Sequence, residues 1–192
     1  MMDRRSVLKI GAATVAGALI NPPVSGWSAP PAPVHSLFQR AVFDERFGEC
    51  RGFAAELHGA GVSTSAIRGD VAKLWYGDLR VHLSENRLPI TGLTDRVTLF
   101  CLEELARDVG MRVIFRADHI IDENGRTQHA AVGPVSLVAA GGQLTREPGF
   151  GRAMARLFSR FDIHERRDMA AQKRTGPFSP ENKTALVSWV IA

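Results

Sequence analysis

Residues 36–70, SLFQRAVFDERFGECRGFAAELHGAGVSTSAIRGD, decide the fold class. Ser36 to Phe43 holds β-compatible apolar residues, and Asp44-Glu45-Arg46-Phe47-Gly48 breaks the run. From Glu49 to His58 the apolar Cys50, Phe53, Ala54 and Leu57 recur at helical spacing, and Gly59-Ala60-Gly61 ends the helix. Val62 to Arg68 then reads as a second strand. The same passage repeats downstream. Asp70 is placed to cap a helix carrying Val71, Leu74 and Trp75 on one face. Pro89 to Leu93 predicts a third short strand, and Thr94 or Asp95 caps a long helix bearing Val97, Cys101, Leu102, Leu105 and Val109. Gly110 closes that helix and Met111 to Ile121 is a fourth strand. Three strand–loop–helix passages with short connections imply parallel strands and right-handed crossovers, hence an α/β fold built on an open, twisted sheet.

The second half changes style. Asn124-Gly125 reads as a two-residue hairpin turn between β-rich runs, which makes the following strand antiparallel to the fourth and the whole sheet mixed. Val135 to Ala140 is expected to continue β structure, Gly141-Gly142 to break it, and Pro148 to Asp162 to form an amphipathic helix with a stripe of Phe150, Met154, Leu157, Phe158 and Phe161. Arg166 to Glu181 reads as loop, and Thr184 to Ala192 as a last strand held in the sheet.

Ahead of all this, residues 1–28 have a basic start, an uncharged stretch from Ile10 to Ile20 and a turn-forming Asn21-Pro22-Pro23. The apolar run is shorter than the roughly 20 residues that cross a bilayer as a helix, and so reads as a cleavable export segment. Asp3-Arg4-Arg5-Ser6-Val7-Leu8-Lys9 resembles the twin-arginine (Tat) signal class, with Arg4 and Arg5 as the export motif, although Val7 stands where that class often has Phe. The resemblance covers this segment alone. It implies passage through the Tat translocase as a folded chain, and a periplasmic destination, sometimes together with a cofactor-bearing partner. Residues 29–34 follow as a Pro-rich linker, which leaves 35–192 as a single domain.

Composition narrows the function classes. The 192-residue chain is 45% hydrophobic and 23% charged, close to ordinary globular usage, so it is neither fibrous nor wholly disordered. Setting aside Arg4, Arg5, Lys9 and Asp3 lowers 24 basic and 20 acidic residues to 21 and 19, a net charge of +2, too balanced to argue for nucleic acid. Two cysteines cannot build a four-ligand zinc site from thiolates alone, and Cys50 and Cys101 each sit in a predicted apolar stripe. A disulfide between them requires both helices to cover one sheet face. No phosphate-loop, dinucleotide-binding or serine-hydrolase string occurs, and no cofactor or metal is implied.

In a parallel sheet, ligands collect beyond the carboxyl ends of the strands. There the sequence offers Asp44, Glu45, Arg46 and Gly48, then Gly69 and Asp70, then Thr91, Gly92, Thr94 and Asp95. Helix N-termini with Arg46 would suit a carboxylate or phosphate, with Arg46, Gly69, Asp70, Gly92 and Thr94 as ligand-binding candidates. The same residues also serve as plain helix caps, with Arg46 paired to Glu45 or Glu49.

A two-residue turn at Asn124-Gly125 would set Ile120 opposite His129 and put His119 and His129 on opposite faces, excluding a shared metal. His129 would then share a polar face with Asp118, Arg116 and Arg112, as a candidate for acid–base chemistry or as part of a solvated hairpin. His119 would lie in the core. Lastly, Arg152, Arg156 and Arg160 recur every four residues opposite the phenylalanines, a face that is either solvated or meets an acidic partner or anionic headgroups. Two readings follow: an exported accessory or small-anion-binding protein, and an enzyme acting on a small carboxylated or phosphorylated substrate with Asp44, Asp70 and His129 as candidate catalytic groups.

Overall fold

In the computed structural model, residues 37–141, 149–160, 168–173 and 183–192 are described, and they belong to the unit spanning Pro33–Ala192. The Tat-like segment and the linker lie outside the described residues. Seven strands form one mixed sheet: β1 (Arg40–Asp44), β2 (Ser63–Ile67), β3 (Ile90–Asp95), β4 (Val113–Ile121), β5 (Thr127–Pro134), β6 (Met169–Lys173) and β7 (Thr184–Ile191). Their order is β2-β1-β3-β7-β4-β5-β6. β1 is parallel to both β2 and β3, while β7 is antiparallel to β3 and β4 and slots between them. β3 and β4 therefore run the same way, as their strand–helix passage requires, but separated by the last strand of the chain. That strand is buried from Leu186 onward because it has a neighbour on both edges and helices on both faces.

The helices divide between the faces. On one side α1 (Gly48–Gly59) and α6 (Phe150–Ser159) cover Ala41, Leu93, Phe115, Ala117, Leu186 and Val190. Phe158 is fully buried there and meets Phe38, Phe53 and Phe115 at ring-centroid distances of 6.0, 6.0 and 5.5 Å. The expected stripe of α6 holds at Phe150, Met154 and Phe158; Phe161 lies outside the described residues. The Glu49 carboxylate caps α6, accepting from the Gly149 and Gly151 N–H groups at 3.1 and 2.8 Å, and the absence of a side chain on Gly151 lets the two helix backbones touch.

On the other side α2 (Ala72–Leu74), a π-helical turn at Trp75–Leu79, α3 (Arg80–Asn86) and α4 (Arg96–Arg107) cover Val42, Ile90, Val187, Trp189 and Ile191. Asp95 caps α4, accepting from the Thr98 N–H at 2.7 Å. The face of α4 is rotated from the expected one: Thr98, Leu99, Leu102 and Ala106 are buried, and Val97 is 68% exposed. Cys50 and Cys101 are both free, and they belong to helices on opposite faces, so the condition for a disulfide is not met.

Three expectations are corrected. Val135–Gly141 is helix α5 rather than strand, because a short apolar run with its buried residues at Leu137 and Val138 fits either period and packing selects the helix. Met169–Lys173, expected to be loop, is the edge strand β6 paired with β5. The hairpin register is one residue off. Asp122, not Glu123, pairs with Arg126, and its carboxylate accepts from the Asn124 and Arg126 N–H groups at 3.0 and 2.8 Å. That carboxylate organises a three-residue loop with Gly125 in the left-handed region (φ 75°), the alternative to the two-residue turn. No described helix is long and apolar enough to cross a membrane.

Candidate functional site

The strand-end crevice forms, but its charge is satisfied from within. Asp44 is fully buried at the end of β1, and the Arg46 guanidinium binds it through Nε (2.9 and 3.0 Å) and Nη2 (2.5 Å). Nη2 also reaches Asp95 at 2.6 Å. These contacts, the Asp44 hydrogen bond foremost, raise the Arg46 pKa above its ordinary value. Burial works against ionisation of Asp95, yet hydrogen bonds from Thr98 and Arg46 outweigh it and hold its pKa below the usual carboxylate value. Two carboxylates on one guanidinium leave a cluster of charge −1, which repels an anion.

The neighbouring candidates are explained by packing. Gly69 (φ 81°) faces the Arg46 guanidinium so closely that a Cβ would lie 2.8 Å from Nη2. A Cβ on Gly92 would fall 2.3 Å from the Trp189 ring and 2.6 Å from the Val42 carbonyl oxygen, so that glycine admits the indole rather than a ligand. Thr94 accepts the Trp189 indole N–H at 3.1 Å. Asp70 accepts from the Ala72 N–H at 2.8 Å, a helix-starting contact. Glu45 pairs with Arg68, and Glu49 caps α6. The pairing of Arg46 is therefore internal, but with partners other than Glu45 and Glu49.

The observed hairpin register brings His119 and His129 together. They are directly opposite across β4 and β5, their Nδ1 atoms 2.6 Å apart, and the second nitrogen of His119 lies 2.8 Å from the Ser188 hydroxyl. Phe150 covers the His119 ring at 4.5 Å between centroids. Burial, and then the neighbouring His129, push the His119 pKa well below its ordinary value. Ser188 and His119 are 0% and 1% exposed, so the row of Ser188, His119 and His129 is a core network whose serine cannot meet a substrate. Asp118 belongs to the opposite face and pairs with Arg96 and Arg116, so it does not orient His129. Among the described residues no group of three or more potential ligands is placed to hold a metal.

The thiol of Cys50 is pushed up to about 12, chiefly by burial, and is inert as a nucleophile. On α6 the basic face is partly engaged: Arg156 pairs with Glu56 of α1, and Arg152 lies over Gly52. Arg160 follows α6 as its C-cap residue.

A cavity of about 560 Å³ lies at the opposite end of the sheet from the crevice, where β3 and β4 begin. Arg87 and Arg112 line it with Met111, Ile114, Pro134 and Met169. Three backbone irregularities meet there. Arg87 is the one described non-glycine residue with positive φ (50°), at the C-cap of α3. The pairing of β4 with β7 slips between Val113 and Phe115, leaving Ile114 without a registered partner. The registered pairing of β4 with β5 stops at Arg116–Val132. Bulges and residues in sparsely populated conformations gather at functional sites. Among the described residues neither guanidinium has an ion pair or a side-chain hydrogen bond. The lining residues come from five parts of the chain, Arg87, 110–114, Pro134, Met169 and Ala192, and no sequence motif announces them.

No protein-family model matches the chain, and no match is found among curated proteins or solved structures.

Proposed function

We propose that the chain is an exported periplasmic binding protein that holds a small anion between Arg87 and Arg112. The observation that carries this reading is the cavity itself: Arg87 and Arg112, neither with an acidic partner among the described residues, line a concave space together with apolar side chains, a makeup that suits a small-molecule site. A planar guanidinium is built to take a carboxylate or phosphate through two parallel hydrogen bonds. The reading favours binding over catalysis, because the titratable groups best placed for chemistry, Asp44 and His119, are buried in internal networks. The accessory role for a partner enzyme draws on Arg152 and Arg160, since Arg156 already has Glu56. Export rests on the Tat-like string around Arg4 and Arg5.

Two experiments test this reading. Replacing both arginines of the signal by lysine (Arg4→Lys, Arg5→Lys) keeps charge while removing the motif, and the protein should then stay in the cytoplasm; unchanged periplasmic levels would refute the Tat assignment. In a thermal-shift panel of inorganic phosphate, acetate, citrate and octanoate, at least one anion should raise the melting temperature of the wild type, because a ligand binding only the folded state stabilises it by mass action. Arg87→Gly combined with Arg112→Gln should abolish the response. A panel with no shift would refute the anion-binding reading.

A further inference from the structure

We infer that the ligand of the Arg87–Arg112 cavity is an aliphatic carboxylate: an anionic head with a hydrocarbon tail. The inference rests on the anion-binding reading and deepens it by naming the ligand class. A site for a fully hydrated oxyanion needs polar groups around most of its guest. Among the described residues the cationic groups are confined to Arg87 and Arg112, and Met111, Val113, Ile114, Pro134, Met169 and Ala192 supply the other lining side chains. No acidic side chain among the described residues lines the space.

The apolar part is unusual in its own right. Met169 is 61% exposed at the start of an edge strand, and the adjoining Val132 and Val135 are 53% and 45% exposed. Methionine is unbranched and polarizable, which suits it to wrap a flexible alkyl chain. The irregular backbone places these groups. The left-handed conformation at Arg87 ends α3 at the cavity that this residue lines together with Arg112, whose main chain is tied to Ala192 in both directions. Slippage at Ile114 puts an extra side chain where a regular ladder would have closed the sheet. Charge therefore fixes one end of the guest, and desolvation of a tail supplies affinity at the other.

Calorimetric titration of the purified protein with acetate, butyrate, hexanoate and octanoate, beside inorganic phosphate and 1-octanol, tests the class. Each added methylene that enters the cavity should tighten binding about two- to fourfold, and 1-octanol should bind at least about tenfold more weakly than octanoate, having lost the charge-assisted hydrogen bonds. Met169→Gln should flatten the dependence on chain length. Arg87→Gly suits the left-handed backbone while removing the guanidinium, so its loss of octanoate binding cannot be laid to a misfolded α3 terminus. If phosphate and acetate bind as tightly as octanoate, and all depend on the two arginines, the aliphatic class is wrong while the anion site stands. If 1-octanol equals octanoate, or Arg87→Gly with Arg112→Gln binds octanoate as the wild type does, the aliphatic-carboxylate site is refuted. If none of these compounds binds, both the class and the anion reading fall.

Discussion

His119 and His129 face each other across β4 and β5 with 2.6 Å between their Nδ1 atoms, and His119 is sealed from solvent. A hydrogen bond between two Nδ1 atoms needs one ring to donate and the other to accept, so the pair cannot hold protons on both facing nitrogens. At most one ring of the pair can be cationic, and the complete burial of His119 selects it as the neutral one, which lowers its pKa.

The sign of the pH effect follows. An unfolded histidine takes up a proton below about pH 6.5, whereas folded His119 resists doing so until a much lower pH. The stability that this group contributes is complete above about pH 6.5 and is lost as the pH falls from there towards the folded pKa. Its limiting slope is about 1.4 kcal/mol per pH unit. Urea midpoints measured between about pH 7.5 and 5, a range that brackets the unfolded pKa, should therefore fall with pH in the wild type, and His119→Gln should show a shallower decline. Parallel curves would contradict the assignment.

The Arg46 cluster gives a prediction opposite to that of an anion site. Arg46 is partly exposed, but its main partner Asp44 is not, so Arg46→Ala strands a buried carboxylate. Breaking a fully buried pair costs about 3–5 kcal/mol; with 43% of the Arg46 side chain exposed and screened, about 2–3 kcal/mol is expected. The response to added anions should be unchanged. Denaturant unfolding and the thermal-shift panel on this variant check the two halves separately.

Two glycines separate close packing from open space. Gly92→Ala drives a methyl into Trp189 and the Val42 carbonyl, so a loss of about 3 kcal/mol or outright misfolding is expected. Gly59 closes α1 in open space, with nothing within 4 Å of where an added methyl would stand, so Gly59→Ala should be neutral or gain up to about 1 kcal/mol. Urea midpoints of the two variants provide the comparison.

Much of the fold is legible in the sequence where period and punctuation agree. The first strands and helices are marked by the 3.6-residue recurrence of Cys50, Phe53, Ala54 and Leu57, by Gly59-Ala60-Gly61, and by the cap at Asp95. The insertion of β7 between β3 and β4 is a long-range pairing that no local pattern reports. The hairpin register turns on one side chain: Asp122 binds two loop N–H groups and adds a residue to the turn, which moves His129 to the face of His119. The crevice residues are legible as a group, since Asp44, Arg46, Gly69 and Asp95 do converge, but their mutual neutralisation depends on distances. The Arg87–Arg112 cavity is hidden from sequence reading because it needs a left-handed arginine, a bulge and the start of β6 in one place.

The most direct test is where an anion lands. In a two-dimensional amide NMR titration with octanoate, the shifts should concentrate at Arg87, at 110–114 and at Met169, and vanish in Arg87→Gly with Arg112→Gln. Shifts concentrated instead at Asp44, Arg46, Gly69 and Asp95 would return the site to the strand-end crevice and contradict the assignment of the anion to the Arg87–Arg112 cavity.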